Sequence, residues 1–121
     1  MIETKALKFN YNNQVSFNFP DILLSKNENL LIIGSSGIGK TTLLHLLAGL
    51  LQSNSGSINL YGQDISKLTQ HQIDKFRGQN IGIVFQKPHF VNSLTVKENL
   101  QLAQYLGNKK DDSRIADILS S

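Results

Sequence analysis

Residues 29–42 read NLLIIGSSGIGKTT, and they leave the chain few ways to fold. Leu30, Leu31, Ile32 and Ile33 form a continuous apolar run ending in Gly34, the pattern of a strand buried on both faces. Gly34, Gly37 and Gly39 then punctuate a short polar turn, and Leu43, Leu44, Leu46, Leu47 and Leu50 recur at helical spacing, predicting a helix to about Leu51. Glycine tolerates positive φ and lets backbone approach other atoms closely. In such a turn successive N–H groups converge at the start of the following helix, where the helix dipole favours an anion.

The register sharpens this reading. Gly34, Ser35, Ser36, Gly37, Ile38, Gly39, Lys40 and Thr41, followed by Thr42, fit the spacing G-x-x-x-x-G-K-[ST] between a buried strand and a helix. This is the pattern of a loop that cradles nucleotide phosphates. Lys40 is placed to contact β- and γ-phosphates, and Thr41 to offer its hydroxyl to Mg²⁺. A glycine-rich strand-to-helix turn that binds nothing is the bland alternative. Gly-Lys-Thr in register between the two elements argues for binding of a nucleotide triphosphate instead.

Length and charge narrow the class. At 121 residues the chain is about one domain long. Hydrophobic residues make up 40% and charged residues 17%, a balance that suits a buried core and not disorder. The net charge of +3 is scattered, with Lys109-Lys110 as an adjacent basic pair followed at once by Asp111-Asp112, so no nucleic-acid partner is expected. With no cysteine, disulfides, thiol catalysis and Cys-ligated zinc are excluded. The N-terminus MIETKALKFNYNN does not have the build of a secretory signal, and LLHLLAGLL at 43–51 is far short of the roughly 20 residues of a spanning helix. A chain soluble by itself is expected, reaching a membrane only through a partner.

Along the chain, IETKALKF and QVSFNF predict two strands joined near NYNN. SINLYG (57–62) predicts a short alternating strand after the turn at 54–56, and IGIVF (81–85) a second buried strand. Thr69 with Gln72 forms a capping box for a helix over 70–76, and Thr95 with Glu98 another, opening a helix to Gly107. Asp111 and Asp112 sit where their charge would complement the dipole of a last helix. His45 reads as a helix residue and not a ligand, Arg77 as a surface or packing residue, and His71 and His89 have no metal-ligand spacing around them.

LLIIGSSGIGKTTLLHLLAGLLQSNSGSINLYGQDI, followed by IGIVFQKPHFVNSLTVKENL, resembles the nucleotide-binding domain of ATP-binding-cassette (ABC) transporters across nearly the whole chain. The wording around Gln86 is most similar to the lipoprotein-release, macrolide-export and cell-division subgroup. The resemblance implies an α/β fold: a P-loop NTPase (RecA-like) core with an ABC-type antiparallel β subdomain, incomplete here. Residues 1–121 would form a partial ATP-binding domain, with the β subdomain and P-loop core over 1–86 and the Q-loop and start of the helical subdomain over 87–121. It also implies that Gln86 reaches Mg²⁺ and the attacking water, that Tyr11 stacks on adenine, and that residues 88–96 meet a membrane-spanning subunit. In the intact protein two such domains would pair as a homodimer, on the inner face of the cell membrane.

The family's remaining chemistry, an LSGGQ-type signature, an apolar run ending in Asp-Glu and a switch histidine, is expected beyond Ser121. Among Glu3, Asp21, Glu28, Asp64, Asp74, Glu98, Asp111, Asp112 and Asp117 there is no Asp-Glu pair. A chain that stops inside a helical pattern is expected to bind Mg-ATP, to turn it over negligibly alone, and to be marginal, oligomeric or rearranged. The alternative from another class is a stand-alone nucleotide-binding or interaction module without ATPase activity.

Overall fold

A computed structural model describes residues 1–87 and 90–120, which divide into two compact units, Met1–Ile73 and the stretch from Asp74 onward. The first unit is built on an antiparallel sheet. Its central strand β1 (Ile2–Asn10) pairs with β2 (Ser16–Asn18) and β3 (Ile22–Leu24), and also with β4 (Ser55–Leu60), which carries the short β5 (Gln63–Asp64). Strand β3 was not expected from sequence, because its three residues are too few to show an alternation.

A bulge decides which β1 side chains face inward. The register between β1 and β4 shifts between Lys5 and Lys8, and Ala6 adopts φ 50°. Successive strand residues alternate faces, so one inserted residue flips the parity: Thr4 is buried, and after the bulge it is Leu7 and Phe9 that are buried. Asp21 holds the bulge by accepting the Ala6 N–H at 2.8 Å. Opposite it, Gly56 has φ 89°, and a Cβ there would lie 2.4 Å from the Ala6 carbonyl oxygen, so only glycine fits. The buried Thr4 hydroxyl accepts the Ile22 N–H at 3.0 Å and is thereby satisfied.

Helix α1 (Lys40–Leu47) is shorter than expected from the leucine pattern. It ends at Ala48, and Gly49 with φ 71° turns the chain away, so Leu50 and Leu51 lie beyond it. Leu43 and Leu46 are buried while Leu44 is exposed, the i, i+3 signature of one inward face. The 3₁₀ turn Ile65–Lys67 is opened by Asp64, whose carboxylate accepts the Ser66 hydroxyl and, at 3.0 Å, the Ser66 N–H. Those hydrogen bonds, the hydroxyl's foremost, hold the Asp64 carboxyl below its usual range.

Helix α2 (Gln70–Asn80) begins as predicted at Thr69 and runs longer. Thr69 N–H donates to Gln72 Oε1 at 2.9 Å, and Gln72 N–H to Thr69 Oγ1 at 3.3 Å. In the second unit α3 (Val96–Leu106) and α4 (Asp112–Ser120) follow. Gly107 lies against the end of α2 so closely that a Cβ would fall 2.5 Å from the Gly78 carbonyl oxygen. Lys109 Nζ donates to the Gln79 carbonyl, satisfying one of the carbonyls a helix end leaves open. A reciprocal clasp joins α3 to α4: Asp111 N–H donates to Gln104 Oε1 at 2.9 Å, and Gln104 Nε2 to the Asp111 carbonyl at 2.8 Å. Ile115 is the buried anchor of α4.

Two sequence expectations are corrected. Residues 29–34 and 81–85 are irregular backbone and not buried strands. Leu31 is 79% exposed, Ile33 82% and Val84 100%. A strand buried on both faces requires neighbouring strands and covering layers, and neither run joins the sheet, whose strands pair only with one another. Large exposed apolar side chains in contiguous runs favour association. We therefore expect the 121-residue chain to self-associate with rising concentration, and Leu31→Lys combined with Ile33→Lys to shift it toward monomer in sedimentation velocity. Unchanged sedimentation of the double variant would contradict this.

Candidate phosphate-binding site

The sheet and α1 meet at the glycine-rich turn. Gly37 (φ 83°) and Gly39 (φ 101°) both take left-handed conformations. Gly37 has open space where a Cβ would stand, so its requirement is conformational alone. Gly39 answers to two demands, since a Cβ there would also meet Phe17 Cδ1 at 2.8 Å. Ile38 N–H donates to the Ser35 carbonyl at 3.4 Å, and Leu43 N–H to the Gly39 carbonyl at 2.9 Å, closing the turn and starting the helix.

The start of α1 differs from a capped helix in its chemistry. Gly39 supplies no side-chain cap, and the first turn holds no acidic residue. The first N–H groups of an α-helix lack intrahelical acceptors, so the turn presents donors and positive dipole with no carboxylate of its own. Lys40 Nζ lies over the same turn, donating to the Gly34 carbonyl and, at 3.2 Å, to the Ser35 carbonyl. One turn thus carries a cation over its first carbonyls and an uncapped helix start at its end, a combination suited to phosphate oxygens.

The two threonines diverge. Thr41 is exposed, whereas Thr42 is buried and its Oγ1 lies 2.9 Å from the Tyr11 hydroxyl. Tyr11 is itself 56% exposed and stands edge-on to Phe9 (4.7 Å between centroids) and Phe17 (6.1 Å). Tyr11, Gly34, Ser35, Ser36, Gly37, Ile38, Gly39, Lys40, Thr41 and Thr42 therefore all belong to the first unit, and Tyr11 is tied directly to the first turn of α1. Gln86 belongs to the second unit, in a bend after the exposed run.

Of residues 88–96, Pro88 and His89 lie outside the described residues. Phe90, Val91 and Val96 are exposed, and the loop they border is fastened by Asn99, which sequence reading missed. Its Oδ1 accepts the Val91 N–H at 2.9 Å. Its Nδ2 donates to the carbonyls of Thr95 (2.8 Å), Val91 (3.2 Å) and Leu94 (3.3 Å). No sequence pattern flags an asparagine that reaches back eight residues. Thr95 and Glu98, by contrast, form the predicted capping box, with Thr95 N–H to Glu98 Oε1 at 3.0 Å and Glu98 N–H to Thr95 Oγ1 at 3.1 Å.

The Thr95 N–H, and next the Thr95 hydroxyl, hold the Glu98 carboxyl below the usual glutamate range. A depressed carboxyl stabilises the fold above its unfolded pKa, about 4.3, and that contribution fades as pH falls through the folded value. We expect wild-type α3 to lose helicity on acidification relative to Glu98→Gln, which keeps the acceptor without the charge. Circular dichroism against pH checks this, and parallel curves would contradict it.

A glycine-rich phosphate cradle at a helix start, beside an antiparallel sheet that carries an aromatic at its edge, defines an ATP-binding-cassette type of nucleotide-binding domain. Residues 15–121 match the family described as ABC transporter, and the chain belongs to that family. It is 39% identical over 82 residues to the bacitracin export ATP-binding protein BceA of Halalkalibacterium halodurans, covering 68% of this chain and 32% of that protein. It is 34% identical over 105 residues to the lipoprotein-releasing system ATP-binding protein LolD of Wigglesworthia glossinidia brevipalpis, covering 87% of this chain and 46% of that protein. The chain thus spans less than half the length of these curated relatives. Among solved structures, the ATP-binding cassette MJ0796 in a post-hydrolysis dimer bound to ADP and Pi superposes with a TM-score of 0.87 at 22% identity, over 99% of this chain and 56% of that one. A second dimeric structure of that bacterial ABC transporter cassette gives 0.85 at 24% identity, over 99% and 55%. These likenesses show the shared fold.

Proposed function

We propose that the chain is the phosphate-binding portion of an ABC transporter ATPase subunit, and that it binds Mg-ATP through the turn at residues 34–42. The observation that carries the reading is the Lys40 ammonium folded back over the glycine-rich turn, onto the Gly34 and Ser35 carbonyls, from an uncapped, acid-free helix start. Phosphate oxygens would take the turn's N–H groups and Lys40 as donors. The exposed Thr41 hydroxyl is a hard oxygen donor of the kind Mg²⁺ prefers, so it fits that ion, and the family resemblance gives the Gln86 amide oxygen the same role. Bound there, Mg²⁺ would neutralise charge on the phosphates. Gln86 would orient water without changing its own charge. Tyr11 offers a half-exposed ring for adenine, anchored through its hydroxyl to Thr42.

The subdomain division is part of the same reading: the β subdomain and P-loop core over 1–86, and the Q-loop with the start of the helical subdomain over 87–121. So is a cytoplasmic place at the membrane, reached through a membrane-spanning subunit that meets residues 88–96. Pairing with a second nucleotide-binding domain belongs to it too, as one relative is described in a dimer. Phosphoryl transfer relies on positioning and charge stabilisation, and the nine Asp and Glu of this chain include no Asp-Glu pair to polarise water. The 121-residue chain alone therefore binds Mg-ATP with negligible turnover; sustained turnover abolished by Lys40→Ala would overturn that.

Calorimetric titration of Mg-ATP tests the binding, and Tyr11→Ala tests the base. Loss of one aromatic stack is expected to weaken ATP and ADP alike, by about 1–3 kcal/mol or roughly 5- to 150-fold. Unchanged affinity for both removes Tyr11 from the site.

A further inference from the structure

We propose that Phe17 is a positioning residue for the phosphate-binding turn, setting the conformation of Gly39 and through it the placement of Lys40. The proposal rests on the nucleotide-binding reading above and adds a residue to it. The side of Gly39 where other residues carry a Cβ is closed by the Phe17 ring, whose Cδ1 and Cε1 lie 2.8 and 3.0 Å from that position, with Phe19 Cε1 at 3.3 Å. Gly39 is also the residue that opens α1, at φ 101°, and Lys40 is bonded directly to it. A ring against one face of a left-handed glycine limits how far that residue can swing.

The ring is itself held from several sides. Phe17 pairs with Phe9 across β1 and β2, with Phe9 buried. Phe19 stacks on it at 5.9 Å and 18°, and Tyr11 meets it edge-on. Tyr11 in turn bonds Thr42 within α1. The sheet thus grips the turn at two points, one apolar contact at Gly39 and one hydroxyl contact at Thr42. Of the two, the Gly39 contact lies next to the lysine that would meet phosphate. Phe17 meets the turn at Gly39 and reaches the base only through Tyr11, so its influence should fall first on the phosphates.

The test uses the 121-residue chain and two probes, Mg-ATP and Mg-tripolyphosphate, which carries phosphates without a base. Phe17→Ala is expected to weaken both, tripolyphosphate by about tenfold or more, and Phe17→Tyr, which keeps the ring, to stay within about twofold of wild type. Ile58→Val removes core volume elsewhere in the sheet and is expected to leave tripolyphosphate affinity unchanged. ATP weakened with tripolyphosphate unaffected would make Phe17 a base contact and overturn the proposal. An equal loss in Ile58→Val would reduce Phe17 to general stability and also overturn it. Wild-type chain that binds neither probe would remove the nucleotide-binding reading itself, and the role of Phe17 with it; wild-type binding that Phe17→Ala leaves intact would remove only the latter.

Discussion

Lys40→Ala is expected to weaken Mg-ATP binding by about 10- to 150-fold, the loss of one charged hydrogen-bonding group worth about 1.5–3 kcal/mol. The side chain is half-buried over the turn and donates to the carbonyls of Gly34 and Ser35. The same three donors can turn to phosphate oxygens, which carry far more charge than a carbonyl. Lys40→Arg keeps the charge but replaces a compact ammonium with a planar fork, so it should recover binding only in part. Calorimetry on the two variants checks this, with circular dichroism to show that both remain folded. Affinity for the alanine variant within twofold of wild type would contradict the assignment of Lys40 to the site.

Leu46→Ala carries the largest expected cost to stability. Leu46 is 0% exposed, and truncating a fully buried leucine costs about 2–5 kcal/mol in lost burial and cavity. Domains hold only about 5–15 kcal/mol in total, and here the runs at 30–33 and 83–85 keep apolar surface in water. Leu46→Ala should therefore populate unfolded chain at ambient temperature. Leu44→Ala, two residues away on the exposed side of α1, should shift the urea midpoint by no more than an ordinary surface change, about 0.5 kcal/mol. Equal midpoint shifts would mean that the inward face of α1 is wrongly assigned.

What was legible in the sequence was what is local. Thr69 with Gln72 and Thr95 with Glu98 cap their helices because a capping box needs only four consecutive residues. The conformation of the glycine-rich turn was legible for the same reason, since it is written in Gly37 and Gly39. The bulge at Ala6 was not, because Asp21 and Gly56, distant in sequence, impose it. Phe17 gave no signal beyond alternation in a strand, since its partner at Gly39 lies across a long connection. The runs 29–34 and 81–85 carry the composition of buried strands, but composition records what a segment can bury and pairing depends on its neighbours. The chain spans 56% of the solved cassette it superposes on.

The turn at residues 34–42 is proposed to bind the phosphates of ATP. The most direct measurement is a titration of Mg-ATP into uniformly ¹⁵N-labelled chain, following backbone amide resonances. Saturable shifts concentrated at Gly34 to Thr42, reproduced by Mg-tripolyphosphate and lost in Lys40→Ala, are the predicted result. Amides of that turn left unmoved at saturating Mg-ATP would contradict the account.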